Sequence, residues 1–133
     1  MNKDQIEPKI KDSLIRIGKE FKLDLIILFG SRAKNTHKEN SDYDIAIYSY
    51  KKISENKEYK IFKKMQEIFK EKEFDLTNLN NILNITLQYS IFKDGIVIYE
   101  SNNRILIEKY NESFFNYIDF MQYKNIRKEA LLS

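Results

Sequence analysis

Hydrophobic residues recur along the chain in blocks that switch between a helical and an extended period. Between Ile6 and Phe21, the positions Ile10, Leu14, Ile17 and Phe21 follow at steps of four, three and four, with Lys and Glu between them. That spacing predicts an amphipathic helix. Leu23 to Phe29 is a nearly continuous apolar run ended by Gly30, the pattern of a short central strand covered on both faces. Ser31 to His37 opens with a residue suited to an N-cap and continues basic, so a short helix and then a polar loop to Ser41 are expected. Tyr43 to Tyr48 alternates and is rich in β-formers, giving a second strand that begins just after Asp42.

Ser54 is placed to cap a further helix, in which Ile61, Phe62, Met65, Ile68 and Phe69 share one face beneath dense Lys and Glu. Phe74 to Leu79 is short and alternating, a third strand with Asp75 near its start. Ile82 to Lys93 reads as a helix ended by Asp94-Gly95, and Ile96 to Tyr99 as a short strand. Ile105 to Leu132 carries Ile107, Tyr110, Phe114, Tyr117, Ile118 and Met121 at helical spacing, one long or broken helix. Its aromatics Phe114, Phe115, Tyr117, Phe120 and Tyr123 exceed one stripe; core packing is expected for most and a partner surface for the remainder. No Pro/Gly/Ser-rich linker or repeat interrupts the 133 residues, so residues 1–133 are expected to form one domain.

Composition narrows the chemistry. With no cysteine, thiol nucleophiles, disulfides and thiolate metal sites are excluded. The 23 Lys and Arg nearly cancel the 20 Asp and Glu, leaving +3. That bias is too small to indicate a nucleic-acid clamp, and no direct nucleic-acid binding is expected. No apolar run approaches the roughly 20 residues of a membrane span, and the first residues lack a secretory h-region. A soluble, cytoplasmic protein without membrane attachment is expected.

The sharpest feature is Phe29-Gly30-Ser31, followed after ten residues by Asp42-Tyr43-Asp44. Gly30 permits a sharp turn and a close approach by phosphate. Ser31, opening a helix, offers a hydroxyl and unpaired amides to an anion. Asp42 and Asp44 stand two apart at the start of a strand, so both side chains point to one face, about 7 Å apart. Two such carboxylates repel unless a cation lies between them, and hard oxygen ligands suit Mg²⁺ or Mn²⁺. Asp75, on a strand able to lie beside the second, adds a third carboxylate, as two-ion displacement at phosphorus requires. The pattern arises by chance on the order of 10⁻³ per chain of this length. Arg32 is a candidate triphosphate contact and Ser41 a candidate for orienting Asp42. His37, the single histidine, is read as a solvated loop residue.

Phe29-Gly-Ser-Arg-Ala33 with Ser41-Asp-Tyr-Asp-Ile45 resembles the signature of the nucleotidyltransferase superfamily related to DNA polymerase beta. The short chain is similar to its minimal members, the MNT proteins, over Leu25 to about Tyr99. The resemblance implies an α+β fold with a small mixed sheet flanked by helices, and a metal site at Asp42, Asp44 and Asp75. It also implies two Mg²⁺ ions, ATP as substrate, and action as an antitoxin that transfers AMP to a tyrosine of a HEPN-type ribonuclease toxin. Two other readings stay open: transfer to a small hydroxylated compound such as an antibiotic, and a non-catalytic antitoxin that inhibits by contact. Polymerisation is disfavoured by the lack of an added nucleic-acid-binding domain.

Overall fold

The computed structural model describes residues 6–36, 41–81 and 84–132. Helix α1 (Pro8–Glu20) starts on a proline at its first turn, where the missing N–H costs nothing, and buries Ile10, Leu14 and Ile17. Strands β1 (Leu25–Phe29) and β2 (Tyr43–Tyr48) pair antiparallel, with Leu25 opposite Tyr48 and Phe29 opposite Asp44. Helix α2 (Glu55–Phe69) is capped by Ser54, whose Oγ accepts from Lys57 N at 3.2 Å. Strand β3 (Phe74–Asn78) runs parallel to β2, in register from Tyr43 opposite Phe74 to Ile47 opposite Asn78. Helix α3 (Ile85–Asp94) is capped by Asn84. Strand β4 (Ile96–Glu100) returns antiparallel to β1, and α4 (Ile105–Leu132) closes the chain as one unbroken helix of 28 residues. The sheet order is β3-β2-β1-β4, the expected α+β arrangement with a mixed sheet.

The sheet divides the apolar residues by strand alternation. Ile26, Leu28, Ile45 and Ile47 face α1 and α2, whereas Leu25, Ile27 and Ala46 face α3 and the start of α4. That two-sided cover is why Leu25 to Leu28 are all fully buried and why the run is apolar throughout.

Three expectations change. The short helix after Ser31 is a single hydrogen-bonded turn, with Lys34 N donating to Gly30 O at 3.2 Å and Thr36 N to Ser31 O at 2.9 Å. Asn35, at φ 58°, ends it, and one turn is too little to propagate a helix. The third helix starts at Ile85; the expected start at Ile82 lies outside the described residues, as does His37 with the rest of the loop at 37–40. None of the tail aromatics is fully buried: Phe114, Tyr117 and Phe120 are partly exposed, and Phe115 and Tyr123 stand well out. At about 1.5 Å per residue, α3 is roughly a third the length of α4 and cannot cover it. What α3 does cover, it covers with Tyr89, which stacks on Tyr117 at 4.5 Å and also meets Tyr110 and Phe114. Among the described residues, no helix is long and apolar enough to cross a membrane.

Candidate active site

The carboxylates gather where β2 begins. Asp42 precedes the strand and is exposed, and Asp44 is its second residue and partly buried. The parallel register sets Asp75 of β3 directly beside Asp44, with backbones about 4.8 Å apart. Tyr43 N donates to Glu73 O at 3.0 Å, fixing that register one step before β3. All three aspartates named from the sequence therefore share one end of one sheet face.

A fourth acid joins them. Glu73 precedes β3 as Asp42 precedes β2, and its carboxyl meets that of Asp42. The hydrogen bond to Asp42, and then the charge of Asp42, raise the Glu73 carboxyl above its usual range. Its sequence signal is Glu73-Phe74-Asp75, which repeats the spacing of Asp42-Tyr43-Asp44. Only the β2–β3 register brings the two pairs together.

Asp44 is also raised, first by burial, then by the charges of Asp75 and Asp42. A folded-state value above the unfolded one favours the fold below the ordinary carboxylate range and loses that contribution as pH rises through the raised value. In metal-free buffer Asp44→Asn is expected to raise the melting temperature at neutral pH by about 1–3 °C. Near about pH 3, where both states are protonated, it should change nothing. Calorimetry in chelator at the two pH values checks this.

Gly30 faces this cluster from the end of β1. It sits at φ +74°, and a Cβ there would fall within the Asp44 carboxylate, nearest to Oδ2 and 3.1 Å from Cγ. The glycine makes room for the acid itself. Gly30→Ala is expected to cost about 1–2 kcal/mol from the left-handed backbone alone. The collision adds to this, so the substitution should cost less when Asp44 is also Ala; denaturant unfolding of the double-mutant cycle measures the difference.

Arg32 and Ser41 join the two ends of the loop. Arg32 is 6% exposed. Its Nε and Nη2 donate to the Ser41 carbonyl at 3.2 and 3.0 Å, and its guanidinium lies 3.8 Å from the centroid of the Tyr43 ring. Tyr43 is itself buried and packs on Phe69 at 5.1 Å. A planar fork that both bonds a carbonyl and stacks on a ring is a task lysine cannot perform. Arg32 thus fixes the backbone on both sides of Asp42, and Ser41 takes part through its main chain. Ser31 lies in the turn, partly buried, with its carbonyl engaged by Thr36.

Asp42, Asp44 and Asp75 offer only hard oxygen donors, and their mutual repulsion, seen at Asp44, is what a divalent cation relieves. The donor set fits Mg²⁺ or Mn²⁺ in type and charge. Among the described residues, no three acidic or histidine side chains are gathered tightly enough to enclose an ion by themselves. Such a site suits an ion that keeps waters and takes further oxygens from a phosphate substrate.

The family model of the polymerase beta nucleotidyltransferases matches residues 9–104. No curated protein matches the chain. Among solved structures, a chain of a toxin–antitoxin crystallised with AMP-PNP superposes with a TM-score of 0.75 at 18% identity, over 92% of this chain and 98% of that one. A chain of the MntA-HepT toxin–antitoxin gives 0.72 at 16%, over 96% and 100%. A chain of the tri-AMPylated Shewanella oneidensis HEPN toxin in complex with its MNT antitoxin gives 0.71 at 16%, over 93% and 97%. At these identities the likeness is one of fold.

Proposed function

Since this chain belongs to the polymerase beta nucleotidyltransferase family, we propose that it transfers AMP from ATP to a hydroxyl, a tyrosine by preference, of a partner HEPN-type toxin and so acts as its antitoxin. The observation that carries this is the alignment of Asp42 and Asp44 with Asp75 across the β2–β3 pair, opposite the Gly30 turn. The structural neighbours that contain AMP-PNP and an AMPylated toxin support it.

In this reading the acceptor oxygen attacks the α-phosphorus, the bond from that phosphorus to the bridging oxygen breaks, and pyrophosphate leaves. Gly30 and Ser31 border the triphosphate. Arg32 and Ser41 hold the loop so that Asp42 and Asp44 keep their places. Asp42, Asp44 and Asp75 would hold two Mg²⁺ ions, which would supply charge neutralisation for the triphosphate and polarisation of the α-phosphate. Asp75, exposed on the outermost strand, faces the incoming hydroxyl and takes its proton. The work of the protein is positioning and charge placement, as in phosphoryl transfer generally.

ATP labelled at the α- or the γ-phosphate tests this. With the HEPN-type protein and Mg²⁺, only the α-label should become fixed to the partner. Fixation of the γ-label would make the chain a kinase, and fixation of neither label would end the reading.

A further inference from the structure

A cleft of about 430 Å³ is lined by residues of α2 and β3. Its walls are aromatic, from Tyr59, Phe62 and Phe74, and its rim carries Glu55, Glu58 and Asp75. Asp75 thus belongs both to the carboxylate set and to this cleft. Glu58 is held there, since its Oε1 accepts from Asn78 Nδ2 of β3 at 2.8 Å. Tyr59 is 61% exposed, so its ring is open to an incoming partner. Lys63 stands 5.9 Å from the Tyr59 ring, and Lys57 and Lys60 flank Glu58 and Tyr59 along α2.

Among the described residues the sheet ends at β3, so no strand pairs with its outer backbone edge. Such an edge accepts an extended segment by main-chain hydrogen bonds. Along an added strand, successive side chains point to opposite faces. Phe74 and Leu76 pack toward α1 and α2, so Asp75 and Thr77 face the other way. A residue of the added strand that enters the cleft therefore has neighbours on the side of Asp75.

Resting on the nucleotidyl-transfer reading, we infer that the acceptor docks as an extended, positively charged segment of polypeptide along β3, with one side chain in the α2–β3 cleft and the hydroxyl-bearing neighbour beside Asp75. The acidic rim repels a phosphate backbone and attracts Lys and Arg. The aromatic walls suit an apolar or cationic anchor. A small cationic compound would fill the cleft but make no use of the open strand edge.

The test measures binding without nucleotide. A fluorescein-labelled peptide with Lys on both sides of a single Tyr is titrated into the full chain at low salt, beside the same peptide with Glu for Lys. The Lys peptide should bind about fivefold tighter or more. That preference should vanish in Glu55→Lys, an exposed position in the first turn of α2. Tyr59→Ala should weaken the Lys peptide, and N-methylation of alternate peptide amides should remove its binding. Equal binding of the two peptides, a preference that survives Glu55→Lys, or indifference to N-methylation would overturn the inference. AMP transfer to the HEPN-type protein, followed in the same preparations, tells the two failures apart. Transfer without peptide preference rejects only the docking edge, and peptide preference without transfer rejects the reaction.

Discussion

Exchanging Asp42 and Asp44 together for Asn is expected to slow AMP transfer by at least about 10³-fold while the partner complex survives. The loss follows from charge rather than shape. Asparagine keeps an oxygen in the same place but removes two negative charges from the end of β2, and hard divalent ions bind neutral amide oxygens far less well. The fold should not suffer, because Asp42 is exposed and Asp44 carries an electrostatic cost from burial, Asp75 and Asp42. A variant that keeps more than a tenth of the rate would remove both residues from the chemistry. Loss of the complex along with the activity would place them at the interface.

Asp75→Asn is expected to reduce transfer by about 10²–10⁴-fold with ATP affinity changed no more than about threefold. The asymmetry comes from position. Asp44 lies on an inner strand opposite the Gly30 turn, with Asp42 just before that strand, whereas Asp75 stands on the edge strand, where the acceptor can approach. A loss confined to kcat, read against nucleotide binding measured by calorimetry with AMP-PNP, fits a group that acts on the acceptor. A rise in the ATP dissociation constant matching the loss in rate would instead make Asp75 a nucleotide ligand only.

Much of this site was legible in the sequence because local chemistry dictates it. The run from Leu25 to Leu28 is apolar on successive residues, and only a strand buried on both faces asks for that. Asp42 and Asp44 could be paired from their spacing of two, since strand alternation needs no knowledge of the remaining fold. Glu73 was not legible. Its meeting with Asp42 depends on the parallel register of β2 and β3, which is set by the α2 crossover and the bond from Tyr43 N to Glu73 O.

Gly30 has the left-handed backbone that its place in the turn leads one to expect, and a Cβ there would also meet the Asp44 carboxylate, a neighbour that only the β1–β2 pairing reveals. The segment after Ser31 has the composition of a helix start but forms a single turn. Thr36 bonds back to Ser31 and Arg32 reaches across to Ser41, so the chain turns before a second helical turn can form. The tail aromatics misled in the opposite direction, since helical spacing shows which residues share a face and not whether anything lies against it. Here α3 ends long before α4 does.

The most direct measurement is the intact mass of the HEPN-type partner after incubation with this chain, ATP and Mg²⁺, with the Asp42→Asn/Asp44→Asn variant alongside. Mass gains in whole AMP units with the native chain, and none with the variant, are the predicted result. A partner that is bound and inhibited at unchanged mass would contradict it, and would make the carboxylate cluster at the head of β2 and β3 an inhibitory surface instead of a centre of transfer.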